Sequence, residues 1–408
     1  MFLRKTANYW VPVLIILAMI GLTFLNLHLD EQTNLEDHFA PRWSAAKNWM
    51  AEGWSPYSEE TTQSTLDLLE LTNSKPESRS QGRFTDPAWY VILFLPISFI
   101  PYTIAKAIWI MFLQVSVGIS IFLAIELSEL RLNSLGVFLT VTLGMLFYPF
   151  ILDYLTASML PVFIMFTLLA IKLALTRQGN YAGFLMLLAL WMNPAGLLVT
   201  ILLLIILSGR RDQSMLQIIL IGFVFLLVTS LILFPGWIPD WFANIIKLEP
   251  KFDWLNTPWM GLAAVFPGAS RQLAIILHLA TFIVLLVEWY GMGEQNDRSL
   301  QWKLMLTLSV SYFFNLFSDG SALLFIFPGF FLVFKYFSEK WKVSGKILYW
   351  VAFIITGFLS WYLTDDPLSS FPKTDSVLLI LVPLLAFLGL QWFRWWAISS
   401  PKALIESE

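Results

Sequence analysis

A chain of 408 residues that is 58% hydrophobic and 13% charged, with 19 Trp and 35 Phe, carries about half the charge of an ordinary soluble domain and reads as a membrane protein. Its net charge of −3 offers no basic stripe to neutralise phosphates, so nucleic acid is excluded as a partner. With no Cys, disulfides, thiol catalysis and cysteine-ligated metals are excluded too.

The first apolar run, Tyr9 to Leu27, is long enough to cross about 30 Å of hydrocarbon. No small-residue cleavage site follows it, so an uncleaved anchor is expected. Arg4 and Lys5 precede it, which puts the N-terminus in the cytoplasm and the polar segment His28–Asp86 outside. Within that segment, Pro41–Glu52 spaces Trp43, Ala46, Lys47, Trp49 and Met50 at three and four residues, predicting an interfacial amphipathic helix. Gly53 and Ser55-Pro56 terminate it. Ser58–Leu71 predicts a second, more polar helix with Leu66, Leu69 and Leu71 on one side, and Asn73–Gly82 a link.

Pro87–Pro101 is apolar but only about 22 Å long as a helix, short for a span. Apolar segments follow at 104–125, 135–152, 158–175, 181–207 and 218–234. A second external loop covers 235–272, and five more apolar segments lie at 273–288, 300–317, 322–337, 347–363 and 378–396. The expectation is an all-α polytopic protein, one integral membrane domain over 1–408, with roughly twelve spans and two external loops, 28–86 and 235–272. Arg210, Arg211, the turns 296–298 and 338–346, Arg394 and Lys402 fit the cytoplasm, so the C-terminus is expected inside. Simple alternation then leaves Lys172 and Arg177 outside, against the positive-inside bias. The conflict is relieved if Pro87–Pro101 is re-entrant and the helix around Asn193-Pro194-Ala195-Gly196 is broken.

Among the candidates for chemistry, Asp37 and Glu36 stand first. A carboxylate before the first external helix could deprotonate an acceptor hydroxyl, or merely answer the helix dipole. Asp86 stands at the entry of an apolar helix, where a carboxylate needs a role or a partner. It reads equally well as an N-cap, with Pro87 in the first turn. Arg42, Lys47, Lys75, Arg79 and Arg83, with Lys247, Lys251 and Arg271 from the second loop, could grip a phosphate or neighbour lipid headgroups. Trp43, Trp49, Trp54, Tyr57, Trp237, Trp241, Trp254 and Trp259 could stack on sugars, though an interfacial belt is the commoner use. His38 is a possible base or ligand, but no second His stands at ligand spacing, so neither a metal nor another cofactor is expected. No phosphate-binding loop, dinucleotide fingerprint or nucleophile elbow occurs.

Taken in order, Trp43-Ser44-Ala45-Ala46, Glu52-Gly53-Trp54-Ser55-Pro56-Tyr57 and Thr85-Asp86-Pro87, opening a helix that reaches Leu95-Pro96, resemble membrane glycosyltransferases of the C-type (GT-C) fold. The resemblance is to glycosyltransferase family 87, the polyprenol-phosphate-mannose-dependent branch, and covers roughly the first hundred residues. It implies an inverting enzyme that moves a hexose such as mannose from a polyprenyl-phosphate donor to a lipid or glycan acceptor on the extracytoplasmic face. It also implies a first-loop acid as general base and external basic residues on the donor phosphate. The family's acid stands five residues before the aromatic, where this chain has His38, with Asp37 one residue earlier; the base is then Asp37 or Asp86. A later Lys-Pro-Gln signature appears here as Asn193-Pro194-Ala195. Glu36, His38, Arg42, Trp43, Lys47, Tyr57, Arg83, Lys247, Lys251 and Arg271 form the expected substrate-binding set. The alternatives are a transporter of lipid-linked sugars, which would hold its ionisable residues near the bilayer midplane, and a glycan polymerase or ligase.

Overall fold

A computed structural model describes residues 16–28, 37–72, 79–193, 196–208, 214–247, 259, 263, 266, 268–291, 297–314, 320–362 and 375–394. All regular structure among them is helical. The chain divides into two compact units, one of Met1–Ser116, Leu152–Met159 and Val224–Lys251, the other of Val117–Ile151, Leu160–Phe223 and Phe252–Glu408.

The first unit opens with α1, Ile16–His28. Two helices of the predicted external segment follow, α2 (Ala40–Glu52) and α3 (Glu59–Leu71). Both ends predicted for α2 hold: Pro41 occupies its first turn, and Gly53 closes it at φ 69° with its N–H on Trp49 O. That left-handed conformation suits a residue without Cβ. Ser58 caps α3, its hydroxyl accepting from Thr61 N. The lateral placement of both helices differs from expectation. Ala40, Trp43, Ser44, Ala45, Ala46 and Asn48 of α2 are buried, so this helix packs within the protein instead of lying on a bilayer surface. On α3 the buried face is Thr61, Thr62, Thr65 and Leu69, while Leu71 is exposed.

The short apolar stretch forms α4 (Trp89–Ser98), ten residues that pack on α2. Asp86 is not its N-cap; the cap position is Ala88, with no side-chain bond. α5 (Tyr102–Ser128) begins four residues after α4 ends and runs for 27 residues. It carries ion pairs near both ends: Lys106 with Asp37 at 2.7 Å, and Glu126 with Lys172 at 2.6 Å. The later part of the first unit begins within α11 (Ser214–Leu233), at Val224; α11 ends at a Phe234–Gly236 turn and hands over to α12 (Trp237–Lys247). Gly236, at φ 80°, makes that reversal.

The second unit contains α6 (Ser134–Met145) and the start of α7 (Tyr148–Leu155), a pair bent by 58°, then α8 (Leu160–Leu175), α9 (Gly179–Met192) and α10 (Leu197–Ser208). Last come α13 (Ser270–Gly291), α14 (Asp297–Phe313), α15 (Phe327–Tyr362) and α16 (Asp375–Trp392). α14 forms its centre: Leu300, Trp302, Leu304, Met305, Leu306 and Leu308 are wholly buried, and Trp302 donates to Leu390 O at 3.0 Å. α15 folds back at Lys342, inside the predicted turn 338–346, where φ is 45°. The two arms approach so closely that a Cβ on Gly345 would sit 2.2 Å from the Phe337 carbonyl oxygen.

Among the described residues four helices are long and apolar enough to cross a membrane, or five if the bent α6–α7 pair counts as one span. The expected count of roughly twelve is therefore not reached. Its other apolar segments are shorter helices, such as α4, α8 and α9, and two expected spans join in the single folded-back α15. Hydropathy registers apolar stretches, and it does not register where the backbone breaks them.

Candidate functional site

The described residues singled out in the segment 28–86 lie within the first unit. Asp37 lies just before α2 with its side chain 1% exposed. Its Oδ1 accepts from the backbone N–H of Phe39 at 2.8 Å and of Ala40 at 3.0 Å, so it closes the open N-terminus of α2. Its Oδ2 accepts from the Tyr102 hydroxyl and pairs with Lys106 Nζ at 2.7 Å. Burial pushes the Asp37 carboxyl up, but the Lys106 ammonium, the Tyr102 hydroxyl and the Ala40 N–H outweigh it and hold the group below its ordinary value of 3.8. A depressed folded-state pKa means stability that is present above the unfolded value and lost as pH falls through the folded one. Unfolding measured against pH in detergent is thus expected to show a loss of stability that begins below about pH 4 and is absent in Asp37→Asn.

Asp86 is in a different state. Arg42 Nε lies 2.6 Å from its Oδ2 and Nη2 lies 3.5 Å from its Oδ1, and the two side chains are 15% and 19% exposed. Arg42 also lies over the Tyr90 ring, 5.8 Å from its centroid. The backbone leading to Asp86 is held by three side chains. Asn244 Nδ2 donates to Phe84 O at 3.3 Å, Trp241 Nε1 to Thr85 O at 2.7 Å, and the Tyr57 hydroxyl to Asp86 O at 2.8 Å. Burial first, then the charges of Asp86 and Asp240, push the Tyr57 phenol well up, so it stays a donor. The carboxylate between Tyr57 and Arg42 is held by its backbone and by one cation, and its side chain keeps contact with solvent.

Of the other predicted residues, Trp43 packs edge-on to Tyr102, and Lys47 stands over Trp43 at 5.5 Å, itself exposed. His38 donates its backbone N–H to Thr156 O at 3.0 Å. Arg83 is half-buried, and its Nε has no hydrogen-bond partner among the described residues. Lys247 ends α12. Arg271 stands exposed in the first turn of α13, in the second unit. Glu36 and Lys251 lie outside the described residues, as do Lys75 and Trp254. The aromatic belt is not general: Trp43, Tyr57, Trp237 and Trp259 are buried, whereas Trp54 is 37% exposed.

Tyr102, Lys106 and Asn244 complete the cluster without having been singled out in the sequence, and Trp241, named there for sugar stacking or the belt, instead donates its ring N–H to Thr85 O. Lys106 left a signal, since a lone cation inside an apolar run calls for a buried partner. The backbone-holding roles of Trp241 and Asn244 left none, because hydrogen bonds to carbonyls 156 and 160 residues away have no sequence pattern. Among the described residues no group of three or more His, Asp or Glu could hold a metal ion. No family model, curated protein or solved structure matches the chain.

Proposed function

We propose that this chain is a membrane glycosyltransferase of the C-type architecture. It would take a hexose such as mannose from a polyprenyl-phosphate donor and pass it, with inversion, to a lipid or glycan hydroxyl on the extracytoplasmic face. One observation carries the reading: the second and third stretches of the resemblance meet at Asp86, where Tyr57 donates to its carbonyl and Arg42, the residue before the first stretch, pairs with its carboxylate.

The two acids divide the work. Asp37 has both oxygens occupied by four donors and almost no exposure, so it serves as a positioning residue that ties α2 to α5. Asp86 is the base. The donor phosphate draws Arg42 away from Asp86, since a guanidinium binds phosphate bidentately. Asp86, released from its cation, then accepts the acceptor hydroxyl's proton as the oxygen attacks the anomeric carbon and the polyprenyl phosphate departs. Arg83, three residues before Asp86, has a buried Nε to offer the same phosphate. The donor is already activated, so a base, orientation and charge on the leaving phosphate are enough.

The placement of α4 supports the proposed side of the membrane. It starts after Asp86, which is bonded to Arg42, and ends before Tyr102, which is bonded to Asp37, so both ends return to the first loop. With α4 re-entrant and the 181–207 stretch broken into the returning pair α9 and α10, Lys172 and Arg177 fall on the side of Arg298, Lys335 and Lys346, which the positive-inside rule assigns to the cytoplasm. Lys172 and Lys335 agree, pairing with Glu126 and Glu129 at the same end of α5.

The test is transfer of radiolabelled sugar from polyprenyl-phosphate-mannose and polyprenyl-phosphate-glucose by membranes containing the protein, with and without added acceptor lipid extract. Acceptor-dependent loss of label from the donor is the expected result. No transfer with either donor would sink the reading and bring the lipid-linked-sugar transporter forward.

A further inference from the structure

The helix α12 has two faces with different surroundings. Trp241 and Asn244, three residues apart and so on one face, hold the carbonyls of Thr85 and Phe84. Asn244 is 5% exposed and reaches Tyr57 O at 3.5 Å as well. On the other side Phe242 and Ile246, four residues apart, are 53% and 79% exposed, and Ile245, at the edge beside Trp241, is 36% exposed. Nothing polar covers that face in the sequence of the helix, whose acid, Asp240, stands in the first turn.

This apolar face adjoins another. The end of α11, a helix long and apolar enough to cross a membrane, presents Leu231, Ile232 and Leu233 at 40%, 72% and 39% exposure. Three residues, Phe234 to Gly236, separate the two helices, and the left-handed Gly236 turns the chain between them. A helix that leaves a span at a sharp turn, apolar on one side only, meets the boundary between headgroups and acyl chains. The occupant of the exposed face is therefore the bilayer that α11 enters, with no second protein needed.

We propose that α12 is a lipid-seated clamp. Phe242 and Ile246 rest in the bilayer boundary with Ile245 at its edge, and Trp241 and Asn244 on the side away from Phe242 and Ile246 fix the Phe84–Thr85 backbone and hence the position of Asp86. The role in positioning Asp86 rests on the reading of that residue as the base, whereas the lipid seat does not. Trp241 and Asn244 are positioning residues: they touch backbone, not substrate. The clamp couples the geometry of the site to the state of the membrane surface, since a face withdrawn from lipid loosens the helix that holds residues 84 and 85.

The absence of cysteine makes the test direct, because single cysteines can be introduced without background. With the full chain in phosphatidylcholine vesicles, a bimane on Ile246→Cys is expected to be quenched several-fold more by lipids spin-labelled near the headgroup than a bimane on Gln63→Cys. Gln63 lies on the exposed side of α3. Equal, weak quenching at both sites overturns the lipid seat. A nitroxide on Thr85→Cys then reads the clamp. Trp241→Phe keeps the ring and deletes only the donor, and it is expected to raise the ratio of mobile to immobile signal on the order of tenfold, as is Ile246→Asp. An unchanged spectrum in Trp241→Phe overturns the clamp, and one in Ile246→Asp overturns its dependence on lipid. Neither measurement uses a sugar donor, so failure here and failure of the transferase reading are separately visible.

Discussion

Asp86→Asn is expected to lower sugar transfer by roughly 10²- to 10⁴-fold while leaving the protein folded. The amide is nearly isosteric with the carboxylate, and Asn retains the carbonyl to which Tyr57 donates. Arg42 keeps a hydrogen-bond partner as well, because the side-chain oxygen of Asn can accept from its guanidinium. Stability and activity therefore separate in this variant. The measurement is single-turnover transfer from a pre-bound polyprenyl-phosphate sugar, beside a melting curve in the same detergent. A turnover within about threefold of wild type would remove Asp86 from the chemistry.

Asp37→Asn is expected to fail in the opposite way, by losing stability. Removing one partner of a buried ion pair leaves the other charge uncompensated, at a cost of about 3–5 kcal/mol. Here the stranded group is the Lys106 ammonium, 6% exposed. Lys106→Met should cost a similar amount, for it strands the carboxylate. The double variant Asp37→Asn/Lys106→Met removes both charges and is expected to recover most of the loss, a coupling visible as non-additive unfolding free energies. Additive costs would mean that the pair does not hold the start of α2 to α5. Turnover of Asp37→Asn must be normalised to folded protein, or a stability effect would pass for loss of a base.

The parts of this architecture that are local in the chain were legible in its sequence. Gly53 and Ser58 delimit α2 and α3 where their residue types say they should. The turn at 338–346 contains the reversal at Lys342. What depends on distant partners was not legible. The spacing in α2 implied an interfacial helix, yet its small residues Ala45 and Ala46 let α4 pack against it, and the helix is buried. Asp86-Pro87 has the pattern of a helix start, but Arg42, 44 residues earlier, takes the carboxylate. Asp37 and Asp86 look alike as loop acids. Their environments separate them: four donors on one and a single arginine on the other.

The ion pairs near the two ends of α5 bear on the membrane in which this protein can work. Lys106 and Glu126 are 20 residues apart on one unbroken helix, about 30 Å at 1.5 Å per residue, which is the depth of a typical hydrocarbon core. A rigid rod with charges fixed at that interval acts as a gauge of bilayer thickness. In lipids with markedly shorter or longer acyl chains one pair must enter hydrocarbon, or the helix must tilt, or the lipid must deform around it, each at a fraction of a kcal/mol per Å. Because the first pair anchors α2, such strain would reach the candidate site.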